Sequence, residues 1–238
     1  MGKEVEPLGK ILQQQAVPNL EKIRSTAPKY TEPNRKISIE VEGREFHNCL
    51  CRVEPQFDMA KGDKDILLSI FAWVWRLDSW NILNLDYNKG LFFFGSLGRG
   101  KTMTLFALRE YLRSLRRRAS WYHEKDHRLG TWWLSASQIA NKYAAEGQPG
   151  LEDYFAPDVC LFIDEMGREP NPASNFGTKM NVIQFLLQMR YDTRRTSVTH
   201  VTTNLSLNEI SLHYGDYVAD RCLEMFNFIE FKGSSYRQ

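Results

Sequence analysis

From Gly95 the chain reads Gly-Ser-Leu-Gly-Arg-Gly-Lys-Thr, a G-x-x-x-x-G-K-T pattern that ends at Thr102. These residue types at this spacing suit a loop that wraps phosphate. Gly95, Gly98 and Gly100 let the backbone turn successive N–H groups towards an anion. A helix starting near Lys101 adds the positive end of its dipole. Lys101 would reach the β- and γ-phosphates, and the Thr102 hydroxyl would bind Mg²⁺. The expected nucleotide-binding set is Gly95, Ser96, Leu97, Gly98, Arg99, Gly100, Lys101, Thr102 and Met103.

Further on, the apolar run Val159-Cys-Leu-Phe-Ile163 leads into Asp164-Glu165. Open α/β sheets place ligands at the carboxyl ends of their strands, so an acidic pair there belongs to a site. Asp164 would help hold Mg²⁺, and Glu165 would polarise a water for attack on the γ-phosphate. Together with the phosphate loop, the pair predicts a nucleoside-triphosphate hydrolase. The β-branched run Ser197 to Thr203 ends in Asn204. Its amide either contacts the γ-phosphate and orients the lytic water, or serves as a turn residue or helix N-cap. His123-Glu-Lys-Asp-His127 matches the H-E-x-x-H zinc pattern formally. Its charged surroundings, between an arginine-rich helix end and a strand, mark it as accidental.

The elements that must hold these residues alternate in type. Leu91 to Phe94 is a continuously apolar strand, as a strand buried on both faces should be. Helical spacing follows over Leu105 to Leu115, a strand at Thr131 to Ser135, and a helix at Ala136 to Ala145. Beyond the acidic pair, a loop rich in Pro, Asn and Gly (Gly167 to Gly177) precedes a helix over about Met180 to Arg194. Leu207 to Met225 reads as mostly helical, and Asn227 to Phe231 as a last strand. Such alternation implies a parallel sheet covered by helices on both faces. Upstream, Ile66, Leu67, Ile70, Phe71, Val74 and Trp75 predict a helix over Asp63 to Leu77. The alternation Ile37-Ser-Ile-Glu-Val-Glu, then Gly43, then Glu45 to Cys51, predicts a small β-hairpin.

The 238 residues fit one α/β domain with an appendage, and the net charge of +2 excludes nothing by itself. Arg113 and Arg116-Arg117-Arg118 cluster at a helix end. They suit either nucleic acid or the helix dipole. No stretch is long and apolar enough for a membrane span, and the polar N-terminus lacks a signal-peptide core. The four cysteines (Cys49, Cys51, Cys160, Cys222) have no C-x-x-C spacing and read as unpaired thiols, which points to the cytoplasm.

The set G-S-L-G-R-G-K-T, C-L-F-I-D-E-M-G, T-T-N-L and Y-G-D-Y-V-A-D-R resembles AAA+ ATPases of the DnaC/IstB type, the bacterial and phage helicase loaders and transposase helpers. The resemblance covers residues 65–238 and leaves 1–64 as an N-terminal arm that would choose the partner. It implies an ASCE-type P-loop core with a five-stranded parallel sheet in the order 5-1-4-3-2. It also implies an ATP-dependent homo-oligomer with nucleotide between neighbouring subunits, acting on a ring helicase and single-stranded DNA. Asn204 falls at the sensor-1 position, and Arg221 at the arginine finger that completes a neighbour's site. Residue by residue, Arg221 also reads as a helix-surface residue paired with Glu224. Arg168 and Lys179 would contact DNA phosphates. The chain ends soon after its last strand, so no helical lid is expected, and Arg237 is the one candidate for a sensor-2 role. An IstB-like helper on duplex DNA and a nucleotide-dependent switch without turnover are the alternatives.

Overall fold

The structure is a computed structural model and describes residues 38–58, 63–118, 130–155, 159–193 and 198–233. His123 to His127, Arg237, Ser197 and most of the N-terminal arm lie outside the described residues.

Leu91, Phe92 and Phe93 are fully buried because β1 (Gly90–Gly95) is an interior strand of the sheet, covered on both faces. Their side chains alternate between two cores. Phe92 packs with Ile163, Val201 and Phe226 on one face, while Leu91 and Phe93 pack with Phe162, Ile229 and Phe231 on the other. The strands β2 (Gly130–Ser135), β3 (Val159–Met166), β6 (Thr199–Thr203) and β7 (Phe226–Phe231) complete a five-stranded sheet in the order β2-β3-β6-β1-β7. Every pairing in it is parallel. Numbered among themselves and read from the other edge, these strands run 5-1-4-3-2, the expected order.

One face carries α1 (Ile39–Val53), α2 (Lys64–Trp75) and α3 (Lys101–Arg118). The other carries α4 (Ala136–Glu146), α6 (Val182–Asp192), α7 (Leu207–Tyr214) and α8 (Asp216–Met225), with the one-turn α5 (Glu152–Phe155) beside them. The expected long helix over Leu207 to Met225 breaks at Gly215, whose φ of 84° no helix accommodates.

The N-terminal hairpin is not formed. Residues 39–53 are helical, with the Ser38 side chain accepting the Val41 N–H at the N-cap. Phe46, Cys49 and Leu50 recur at helical spacing and are buried in the same core as Tyr111 of α3. Tyr111 Oη donates to Glu42 Oε2 at 2.9 Å and accepts from the buried Trp75 Nε1 at 2.8 Å, so a single hydroxyl joins three helices. Trp73 and Trp75 are packing residues, whereas Trp80 stays 40% exposed. The loop after the acidic pair contains a second departure, a short antiparallel hairpin of β4 (Ala173–Asn175) and β5 (Thr178–Met180).

Two buried polar residues brace the sheet. Arg190 of α6 donates to Thr199 Oγ1 at 2.6 Å, to the carbonyls of Val159 (2.9 Å) and Val198 (3.1 Å), and to that of Tyr154. His200 accepts the Leu91 N–H at Nδ1 (3.2 Å) and lies against Phe162 and Trp73. Burial, helped by the Arg190 charge, pushes its pKa down to about 3. The unfolded chain therefore binds a proton below pH ~6.5 that the folded chain refuses until about pH 3. Stability should fall with decreasing pH across that window, by up to roughly 1.4 kcal/mol per pH unit from this residue. Urea denaturation between pH 6 and 5 checks it: His200→Gln should show the shallower dependence.

Among the described residues, no helix is long and apolar enough to cross a membrane. The four cysteines are free, with Cys49 and Cys222 buried.

Candidate functional site

The loop between β1 and α3 turns on glycines with positive φ: Gly95 (113°), Gly98 (75°) and Gly100 (82°). At Gly95 a second constraint applies. It pairs with Phe231 of β7, and a Cβ would stand 2.6 Å from the Phe231 carbonyl oxygen. Lys101 opens α3, is buried, and donates from Nζ to the carbonyls of Gly95 and Ser96, each at 2.7 Å. Its ammonium thus sits against the loop's own backbone. Burial lowers the Lys101 pKa, the Asp164 charge raises it, and the Arg168 charge lowers it further.

The acidic pair lies opposite. Thr102 Oγ1 donates to Asp164 Oδ1 at 2.9 Å, and the same carboxylate oxygen accepts from Thr202 Oγ1 of β6. Glu165 donates its backbone N–H to that Thr202 hydroxyl at 3.0 Å. β3 therefore continues past Ile163 through both acids to Met166, further than the sequence suggested. It does so irregularly. Ile163 faces Val201 and Met166 faces Thr203, which puts one extra residue on β3. Glu165 absorbs it with a φ of 56°, in the left-handed region that costs a side-chain-bearing residue about 1–2 kcal/mol. Such bulges re-aim side chains next to sites. Here the bulge turns Glu165 into the cleft, where its Oε1 accepts from Arg168 Nη1 at 2.8 Å.

A cleft of about 900 Å³ joins the loop to Glu165, while Asp164 lies behind Thr102 and is not among the lining residues. Its lining runs through the loop from Leu97 to Thr104 and includes Glu165, Arg168, Thr202, Thr203 and Asn204. Asn204 is exposed at the end of β6. It does not cap α7: Ser206 does, in a capping box with Glu209. Glu54, Gln56, Phe57, Asp58 and Asp63, from the segment joining α1 to α2, close the far side with Phe231. Two oxygens, Thr102 Oγ1 and Asp164 Oδ1, meet beside the loop, a donor set that suits a hard divalent cation. No cluster of three or more His, Cys, Asp or Glu side chains occurs among the described residues. A Mg²⁺ here would take its remaining ligands from phosphate and water, as that ion commonly does.

No protein-family model matches the sequence, and no curated protein matches it significantly. Solved structures do match. The DnaC helicase loader is 20% identical with a TM-score of 0.53, covering 76% of this chain and 96% of that one. DnaI is 18% identical with a TM-score of 0.53, covering 85% and 95%. A protein described as a primosome component from Streptococcus pyogenes serotype M3 is 18% identical with a TM-score of 0.52, covering 77% and 87%. The chain shares the fold of these structures.

Arg221 stands apart from the rest. It is not among the residues lining the cleft. Its guanidinium lies between the rings of Tyr191 (4.4 Å to the centroid) and Tyr217 (5.0 Å), donates to Tyr191 Oη at 2.8 Å, and approaches Glu224 at 3.5 Å. The Glu224 pairing read from the sequence is thus present, though loosely, and two aromatic faces hold the cation more closely. Sequence reasoning passed over Thr202, the hydroxyl that holds both acids, and the α1–α2 segment that walls the cleft. The Thr-Thr pair before Asn204 was the available signal for the first. The second had none, because most of the segment fell between the expected hairpin, which ended at Cys51, and the expected helix from Asp63. Arg168, read from the sequence as a DNA contact, lines the cleft.

Proposed function

We propose that the protein is a Mg²⁺-dependent ATP hydrolase of DNA replication, a helicase-loader-like AAA+ protein acting on a ring helicase and single-stranded DNA. The observation that carries this reading is the convergence, at the carboxyl ends of β1, β3 and β6, of a buried lysine, a Thr102–Asp164 oxygen pair, Glu165 and Asn204 around one cleft. A non-hydrolysing switch would need the first two of these elements but no second carboxylate in the cleft.

In the proposed reaction the N–H groups of residues 96–101 and the Lys101 ammonium bind the phosphate chain. Thr102 and Asp164 would hold Mg²⁺, which neutralises charge on the β- and γ-oxygens. Glu165 accepts a proton from the attacking water, and Asn204 orients that water or the γ-phosphate. Arg221 from a neighbouring copy stabilises charge developing on the transferred phosphoryl group. Partner choice falls to residues 1–64.

Phosphate release from ATP, with and without Mg²⁺, tests the reading. Lys101→Ala should weaken ATP binding roughly 10- to 100-fold, the equivalent of the about 1.5–3 kcal/mol typical of charge-assisted hydrogen bonds. Wild-type release no faster than that of this variant would rule out hydrolysis at the cleft. Stimulation by single strands supports the loader assignment, and stimulation by duplex alone would favour a transposition helper.

A further inference from the structure

The ion pair between Arg168 and Glu165 puts a cation where the proposed mechanism needs a free base. A glutamate whose Oε1 accepts from a guanidinium at 2.8 Å is a weaker base than a free one, because its charge is already engaged. The pair also lies inside the cleft: both residues line it, together with Lys101, Thr102 and Asn204. The Arg168 charge is close enough to Lys101 to disfavour its protonated form. Two cations that repel across a cleft are stabilised jointly by an anion between them.

The backbone of Arg168 is fixed while its side chain is not. Its N–H donates to the Glu165 carbonyl at 3.2 Å, and its carbonyl accepts from Ser137 Oγ at 3.2 Å. On either side, Gly167 N–H donates to Glu169 Oε2 at 2.8 Å, and the buried Glu169 also accepts from the Tyr214 hydroxyl. The Arg168 side chain is 51% exposed. The guanidinium can therefore change partners by rotamer changes alone, on a backbone anchored to α4 and α7.

We propose that Arg168 is a catalytic residue that reads the γ-phosphate in cis: when ATP binds, its guanidinium leaves Glu165 for the γ-phosphate oxygens, and the same movement frees Glu165 to act as base. This deepens the reading of the cleft as an ATP-hydrolysis site and rests on it. The exchange trades a carboxylate for a more highly charged oxyanion, with geometry that favours the planar guanidinium. In the step that follows, the water oxygen bonds to Pγ and its proton passes to Glu165. The bond from Pγ to the β–γ bridging oxygen breaks, and that oxygen leaves on ADP with the electron pair. Glu165 then gives its proton to the products, and Arg168 returns to it once inorganic phosphate departs. ADP offers Arg168 nothing, so the residue would separate the two nucleotide states.

The test compares Arg168→Ala, Arg168→Lys and wild type for binding of ADP and of the non-hydrolysable β,γ-methylene analogue of ATP, both with Mg²⁺, alongside ATP turnover. Circular dichroism melting confirms folding; the half-exposed site should leave it unchanged. Arg168→Ala is expected to weaken the analogue roughly 10- to 100-fold, as loss of a charge-assisted contact does. ADP affinity should stay within about twofold, turnover should fall, and Arg168→Lys should recover part of the loss. Equal effects on both nucleotides, or on neither, would overturn the proposal. So would faster turnover with unchanged analogue affinity, which would make Arg168 a restraint on Glu165 alone, or a loss confined to single-stranded DNA binding. A wild type that binds neither nucleotide sinks the reading of the cleft itself. A wild type that binds both, with undiminished discrimination in Arg168→Ala, sinks the Arg168 proposal alone.

Discussion

Arg221→Ala is expected to lower ATP turnover by roughly 10³- to 10⁵-fold while leaving nucleotide affinity of the isolated subunit intact. The expectation rests on where the residue sits. Arg221 lies outside its own cleft, on α8, with its guanidinium between Tyr191 and Tyr217. It cannot serve the phosphates that Lys101 serves unless it belongs to a neighbour. Stacking on two rings limits the rotamers the guanidinium must give up on docking, where it would exchange its Tyr191 Oη contact for phosphate. Mixing gives the decisive measurement. Each Arg221→Ala subunit keeps Glu165, and each Glu165→Gln subunit keeps Arg221. Where the second kind presents α8 to the first, one complete site forms from two inactive proteins. Recovered phosphate release on mixing supports a finger acting in trans. If Arg221→Ala instead hydrolyses ATP normally, the Tyr191–Arg221–Glu224 cluster is surface packing, whose loss costs within about 0.5 kcal/mol as surface substitutions usually do.

How much of this was legible before the fold was known depended on whether the signal was local. The phosphate loop needs only glycines, a lysine and a hydroxyl at fixed spacing, and β1 and α3 flank it as the apolar run and the helical period suggested. The acidic pair was legible for the same reason. Its bulge was not, because the extra residue exists only relative to the register with β6, about 37 residues away in the chain. Arg168 was likewise visible as a loop cation, but its aim into the cleft depends on that bulge and on the anchoring of Glu169 to Tyr214. Helix α1 failed in the other direction. Ile37 to Glu42 alternates apolar and polar residues, which favours a strand when read alone. The period that decided its structure is carried by Phe46, Cys49 and Leu50, beyond Gly43, and it gains meaning from Tyr111 and Phe71 packed against it. Gly43 was read as a turn but lies within the helix, where an added Cβ would meet nothing within 4 Å, so no close packing calls for a glycine there. The β4–β5 hairpin escaped notice because each strand has three residues and its turn is Phe176-Gly177, with the phenylalanine itself at a positive φ of 45°.

Glu165→Gln is expected to reduce turnover by roughly 10²- to 10⁴-fold, the range for loss of a positioned general base, while ATP remains bound. The substitution preserves shape and removes basicity. It also weakens the ion pair with Arg168, a half-exposed contact worth about 0–1 kcal/mol, so the fold should be little affected. The backbone makes the position informative. At a φ of 56° a glycine would escape the about 1–2 kcal/mol steric cost that a Cβ incurs in the left-handed region. Its greater freedom in the unfolded chain would return only about 0.4–1 kcal/mol of that gain. The conformation therefore favours glycine modestly, and the carboxylate sits there against local preference, held by the Thr202 hydroxyl on its own N–H. Strain of this kind collects where a side chain must be aimed. Single-turnover hydrolysis beside a nucleotide-binding measurement separates the possibilities. Slow hydrolysis with retained binding assigns Glu165 the base, whereas wild-type hydrolysis in Glu165→Gln would move the base elsewhere and leave the bulge without a chemical reason.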